Sequence, residues 1–359
     1  MLSYPRGNPD LSKKLYYPVR SGNDINVGFM NKGIQKFLID HLGVVDFELA
    51  PIKKGGSDRS FIRVFLPDKT SFIFMHYGDE VAENTRWADI NKFMASLDIH
   101  VPRMIARDES LHFILLEDLG DVDLWSQRFL RWEERRDYYF QALTQIYRLH
   151  SFNLKSLPAG LQLSESYGPG LYKWEHNYFL ENLVWEVCKI KLSSSDAAKL
   201  MKELDAISAR LQKIEPCFIH RDFQSQNIMI KNGRPVLIDF QGMRQGCLFY
   251  DLGSLICDPY VTFDDEEREE LINFYYELLN PTYSLDEFVH NFWMGSIQRL
   301  LQALGAYGFL GLKKHKPAFL GHIGNGLENL LTAIDNAGGL DALNELATEC
   351  ETILARKNY

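Results

Sequence analysis

The chain has 359 residues, 46% of them hydrophobic and 24% charged, which suits a globular protein large enough for two lobes around a substantial core. Its formal net charge of −9 argues against a nucleic acid as the main partner, because phosphate backbones are held by basic surfaces. The imbalance is uneven, with 15 basic against 16 acidic residues through Asp118 and 24 against 32 beyond it, so the second part favours metal ions or neutral and cationic ligands.

Residues 1–30 are polar and rich in turn formers, and read as a loosely held arm. The stretch 31–43, NKGIQKFLIDHLG, predicts a short amphipathic helix stopped by Gly43. Three strand-like runs follow, FELAPIKK, FIRVFLP and SFIFMHY, separated by the turn formers GGSDRS and DKT. EVAENTRWADINKFMASL places Ile90, Phe93, Met94 and Leu97 at helical spacing, and HVPRMIARD and HFILLEDLG add two strands. The expected result is a small antiparallel sheet with one helix. After Gly120 the pattern turns to long helices at 131–152, 171–191, 193–214, 264–279 and 284–310. Serines suited to capping open the third, and Ser284 and Glu287 stand at capping-box spacing in the last.

The predicted fold class is therefore α+β and bilobal. An N-terminal arm (1–30) precedes a β-rich lobe (31–118) and a larger, mainly helical lobe (119–359), joined near LLEDLG. Five scattered cysteines without a CxxC pair read as reduced thiols in a cytoplasmic protein. No signal-like segment and no run of about 18 apolar residues occurs, so neither export nor a membrane partner is expected. A monomer or weak dimer is the expected state.

The helical lobe is interrupted at 218–242 by FIHRDFQSQNIMIKNGRPVLIDFQG. Asn232-Gly233 between two apolar strands predicts a tight hairpin, which folds Asp239 back beside Asn227, with Asp222 in the loop that feeds it. Two carboxylates and an amide converging at one mouth make a hard-cation site of the kind magnesium occupies together with substrate phosphates. His220-Arg221-Asp222 with Asn227 matches H-R-D-x-x-x-x-N, the kinase catalytic-loop pattern. In it the aspartate accepts a proton from the attacking hydroxyl and the other two groups hold metal. Asp239-Phe240-Gln241-Gly242 stands in the place of D-F-G with one residue inserted. The alternative, polar caps on a buried hairpin, would not require all three groups in register.

A nucleotide site should then lie earlier in the chain. IKKGGSDRSFIRVF is a strand, a glycine-containing turn and a strand, suited to covering phosphates with backbone N–H groups and the hydroxyls of Ser57 and Ser60; by itself it is also an ordinary hairpin. Backbone groups of Glu117 to Leu119 are placed to meet an adenine edge. The expected β3 lysine is missing from TSFIFMHYG, and Arg63 on the neighbouring strand is the substitute candidate, a solvated strand arginine being the alternative. Downstream, YDLGSL arrives only twelve residues after Asp239, too soon for the peptide-docking segment of a protein kinase, so a small-molecule acceptor is expected.

GGSDRSFIRV, HVPRM, ILLEDLGD, HRDFQSQNIM, IDFQGMRQG, YDLGSL and IQRLLQALGAYGFL together resemble the aminoglycoside phosphotransferase and choline kinase superfamily over roughly 45–335. Within it they look most like bacterial anomeric kinases of N-acetylmuramate and N-acetylglucosamine used in cell-wall recycling. The resemblance implies a protein-kinase-like fold, ATP and Mg2+, Asp222 as base, Asn227 and Asp239 on the metal, and His220, Arg221 and Asp251 as structural support. Gln224 and Gln226 depart from the His and Arg expected of such sugar kinases, near the acceptor. Acceptor contacts are expected from Trp174, Glu175 and His176 in LYKWEHNYF, and from Arg244; a solvated helix face and a surface arginine are the alternatives. Three functions remain open on the sequence: an amino-sugar kinase making a sugar 1-phosphate, an aminoglycoside, choline-type or other hydroxyl kinase, and a nucleotide-binding pseudokinase.

Overall fold

The computed structural model describes residues 32–52, 59–78 and 81–357. The chain forms two compact units, one ending at Val45 and one starting at Asp46. In the first, helix α1 (Lys32–Leu42) ends as expected at Gly43, whose N–H donates to the Ile39 carbonyl and whose φ of +69° suits glycine.

The second unit begins with β1 (Glu48–Ile52), β2 (Ser60–Phe65) and β3 (Ser71–His76). Helix α2 (Ala82–Ser96) precedes β4 (Met104–Asp108) and β5 (Phe113–Glu117). The five strands form one antiparallel sheet in the order β1-β2-β3-β5-β4. Its register aligns Arg63, Ile73 and Leu116 in one cross-strand row and Phe61, Met75 and Ile114 in the next. Directly opposed residues share a face, and this face packs with Trp87, Ile90, Phe93 and Met94 of α2 into the main apolar core. Met75 is completely buried there, on the strand that carries no lysine.

The helical part comprises α3 (Trp132–His150), α4 (Pro169–Phe179), α5 (Ser194–Leu211), α6 (Leu248–Ile256), α7 (Asp265–Leu279), α8 (Leu285–Gly308), α9 (Ile323–Ala337) and α10 (Asp341–Lys357). Between α5 and α6 run β6 (Cys217–Ile219), the hairpin β7 (Ile228–Lys231) and β8 (Arg234–Leu237), and β9 (Arg244–Gly246), which pairs with β6. Helix α4 continues as a π-helical turn from Leu180 to Trp185. Ser193 and Ser284 cap α5 and α8 through their hydroxyls, as their positions suggest. The Glu287 carboxylate, however, meets Arg210, and the reciprocal capping box forms at Asp264 and Glu267 on α7.

Helices α6 and α8 cross almost backbone to backbone. A Cβ on Gly253 would fall 2.7 Å from the Ser296 Cα, and one on Gly295 would fall 2.5 Å from the Phe249 Cβ. That close crossing brings Arg299 of α8 and Asp251 of α6 to the same loop, where the chemistry is expected.

Candidate active site

The NG turn forms as the sequence predicts. Asn232 and Gly233 take φ of +52° and +74°, β7 and β8 pair through Ile228–Leu237, and the Ile238 N–H donates to the Asn227 carbonyl at 2.9 Å. Asn227 and Asp239 are thus held at one end of the hairpin. The Asn227 amide nitrogen donates to the Asp222 carbonyl at 2.9 Å, which ties the third member to them and leaves the amide oxygen as the atom suited to a cation.

The loop carrying Asp222 is fixed by two buried carboxylates. Asp251, in the first turn of α6, accepts from the backbone N–H of His220 at 2.7 Å and of Arg221 at 2.8 Å, with the His150 ring at 3.1 Å. Those bonds hold Arg221 at φ +78°, a conformation a non-glycine residue adopts only when its surroundings impose it. Asp258, which the sequence reading passed over, accepts from the N–H and hydroxyl of Ser225 and from the Tyr260 N–H. Burial raises its carboxyl above the ordinary range despite those donors. The Asp222 carboxylate then lies between two guanidinium groups, Arg221 at 3.6 Å and Arg299 at 3.8 Å.

Arg299 is the main residue missed by sequence reasoning. It is buried and donates to Ser254 at 2.6 Å, Gln302 at 2.6 Å and Gln224 at 3.2 Å, and its guanidinium lies 5.8 Å from the Tyr250 ring centroid. The signal was present in QRLLQALGAYGFL, where an arginine and two glutamines sit on an otherwise apolar helix.

Asp239 takes a left-handed φ of +66°. Burial would raise its carboxyl, but the Arg59 guanidinium and the Gln241 amide outweigh that and hold it below the usual range. Arg59 forms an ion pair with its Oδ1 and also donates to the Gln241 Oε1 at 2.9 Å, while the Gln241 Nε2 donates to Asp239 at 2.9 Å. The residue inserted into the D-F-G position therefore clasps both partners.

Other expectations change. Arg63 does not face Asp239: its guanidinium reaches Asp118 at 2.7 Å and Asp121 at 2.8 Å, because its strand row runs toward the end of β5. Arg244 is not at the surface. It is buried, donates to the Gly242 carbonyl and to Glu83 on α2 at 3.1 Å, and lies over the Tyr167 ring. Glu175 and His176 are also interior. The Glu175 carboxylate accepts from Tyr167 at 2.7 Å, Tyr250 at 2.9 Å and Gln298 at 2.8 Å, and the His176 ring meets Gln298 at 2.8 Å. Helix α4 turns those two inward because α8 packs against it. Trp174 is the member of the trio that is exposed, stacked on Tyr178 at 4.9 Å.

Near the inter-lobe linker, the Glu117 N–H donates to the Arg103 carbonyl and its carboxylate meets Lys231 at 2.7 Å; Lys231 also donates to the Asp118 carbonyl. Leu119 is the next backbone position along. Ser60 is exposed, its hydroxyl 3.4 Å from the His76 carbonyl, and Ser57 lies outside the described residues. Among the described residues no helix is long and apolar enough to cross a membrane.

A five-stranded antiparallel lobe and a helical lobe, with Asp222, Asn227 and Asp239 held at one end of the β7–β8 hairpin, define a protein-kinase-like fold. The chain belongs to the phosphotransferase enzyme family, which it matches over residues 42–285. It is 27% identical over 309 residues to an N-acetylmuramate/N-acetylglucosamine kinase of Pseudomonas putida, covering 82% of this chain and 87% of that protein. To the N-acetylmuramate/N-acetylglucosamine kinase of Neisseria meningitidis serogroup B it is 25% identical over 284 residues, with 76% and 82% covered. A crystal structure of choline kinase from Cryptosporidium parvum Iowa II shares the fold, with a TM-score of 0.60 at 15% identity over 88% of this chain and 99% of that one. The protein is thus an enzyme that transfers a phosphoryl group to a hydroxyl acceptor.

Proposed function

We propose that the enzyme transfers the γ-phosphoryl group of ATP to the anomeric hydroxyl of an N-acetylated amino sugar, giving a sugar 1-phosphate. The observation that carries this reading is the placement of Asp222 between Arg221 and Arg299, with Gln224 and Gln302 bonded or adjacent to Arg299. Guanidinium and amide groups suit a neutral or anionic polyhydroxylated acceptor. An aminoglycoside polycation or a choline-type ammonium would meet like charge there, although the lobe as a whole is acidic. The kinases of N-acetylmuramate and N-acetylglucosamine among its relatives support the same choice.

In this reading the Asp222 carboxylate takes the proton of the acceptor hydroxyl as its oxygen bonds to phosphorus, and the bond from phosphorus to the bridging oxygen of ADP breaks. The hard oxygens of Asn227 and Asp239 fit Mg2+, which when bound offsets charge on the phosphates. Asp251 and Asp258 hold the loop in position throughout, and in this reading the Leu119 backbone would meet the base. An anomeric hydroxyl is more acidic than an ordinary alcohol, because the ring oxygen stabilises its conjugate base.

The test is phosphorus NMR of products formed from ATP with N-acetylglucosamine and with N-acetylmuramate. A signal for phosphate on the anomeric oxygen is expected. Phosphate on the 6-hydroxyl, or turnover only with aminoglycosides or amino alcohols, would overturn the assignment. Nucleotide binding without turnover on any acceptor would make the chain a pseudokinase.

A further inference from the structure

We propose that Gln224 and Gln302 select an N-acetylated acceptor over a free amine, by presenting two amide N–H groups beside Asp222 to the acetamido carbonyl. The inference deepens the reading above and rests on it.

Arg299 sets the polarity of both amides. A guanidinium has only donors, so an amide bonded to it turns its oxygen inward and its nitrogen away. Arg299 donates from Nη1 to the Gln302 Oε1 at 2.6 Å and from Nη2 to the Gln224 Oε1 at 3.2 Å. The same Nη2 lies 3.8 Å from the Asp222 Oδ1. The fork is held at its third nitrogen, where Nε donates to Ser254 at 2.6 Å. Gln224 is also tied through its backbone: its N–H donates to the Asp222 carbonyl at 3.0 Å, and its carbonyl accepts from the Asn227 N–H at 2.9 Å. Base and amides are gathered on one cation.

These two glutamines differ from the other buried ones. Gln298, one turn earlier on α8, meets the His176 ring through Oε1 and donates from Nε2 to Glu175, both at 2.8 Å. Gln145 likewise uses both ends, on the His100 N–H and the Pro235 carbonyl. In Gln224 and Gln302 only the oxygen is engaged. Among the described residues neither Nε2 has a partner, and neither is sealed from solvent. A structural amide spends both ends, whereas these keep a donor open.

In an amino sugar the 2-substituent sits on the carbon next to the anomeric one. Whatever it carries therefore lies close to the hydroxyl whose proton Asp222 takes. An acetamido group offers a carbonyl oxygen that N–H donors bind. A protonated amine offers only further donors and meets the charge of Arg299 as well.

The experiment compares kcat/Km for N-acetylglucosamine and for glucosamine at neutral pH in wild type, Gln224→Glu, Gln302→Glu and Gln302→Met. Each glutamate variant keeps one oxygen for Arg299 and puts an acceptor where the donor stood. It should lower kcat/Km for N-acetylglucosamine by roughly tenfold or more, the scale of a hydrogen bond lost with its partner left unpaired, and raise that for glucosamine. Gln302→Met should lower the first without raising the second, and Km for ATP should stay near wild type in all three. Equal losses on both sugars, or an unchanged ratio in every variant, would overturn the selection while the sugar kinase assignment stands. Wild type active on neither sugar would overturn that assignment and this inference together.

Discussion

Asp222, Asn227 and Asp239 were legible because their spacing and the NG turn are local features, and local geometry delivers them to one mouth. Asp222→Asn should lower turnover by about 10²-fold or more, the usual scale for a general base, while nucleotide affinity stays near wild type. Steady-state kinetics with parallel calorimetry checks both halves, and undiminished turnover would remove Asp222 from its role. Glu175 was read as a ligand contact because a helix sequence does not say which polar residue meets another helix. It lies inside, with Tyr167, Tyr250 and Gln298 as donors. Burial raises its carboxyl above the ordinary glutamate range although all three donors and Arg221 oppose that. A folded-state value above the unfolded one gives stability that is present below the unfolded value and lost as pH rises through the folded one. Glu175→Gln does not titrate, so wild type should lose stability relative to the variant as pH climbs through that window. Urea denaturation across a pH series would show it, and parallel profiles would contradict it.

At the scale of elements, long amphipathic helices and the five strands of the sheet were readable, whereas α6, α9, α10 and the β6–β9 pair were not. Helix α6 is nine residues long and every one is buried, so it has no polar face to create a period. Strands β6 and β9 are three residues each, too short for alternation to register. The π turn after α4 leaves no trace in a pattern that continues through it. What the sequence hid most was proximity: Gly253 and Gly295 permit the α6–α8 crossing that sets Arg299 over the catalytic loop. Gly295→Ala improves intrinsic helix propensity by about 1 kcal/mol. It should nevertheless destabilise the protein by about 1–3 kcal/mol overall, since the added methyl has no room beside Phe249. Chemical denaturation checks this, and an increase in stability would mean the crossing is looser than described.

Across the whole molecule, the linker between sheet and helices is held by ion pairs that join distant segments. Arg63 on β2 binds Asp118 and Asp121, and Lys231 of the hairpin binds Glu117. The sequence showed the arginine and the acidic linker but not that the strand row aims one at the other. Arg63→Ala leaves Asp118, itself largely buried, without its guanidinium, and should reduce unfolding free energy by about 1–3 kcal/mol. A raised Km for ATP at unchanged stability would instead restore the phosphate contact expected of Arg63. One further consequence follows from the stretch after Asp239. It is stitched on both sides, through β9 to β6 and through the Met243 and Gln245 carbonyls to the N–H groups of Ser164 and Tyr167. From Phe240 to Cys247 it contains no serine, threonine or tyrosine. Where protein kinases keep a loop that phosphorylation can order or release, this enzyme has a fixed seam with no hydroxyl to modify. Phosphorylation of a hydroxyl could not order or release this stretch as it does that loop.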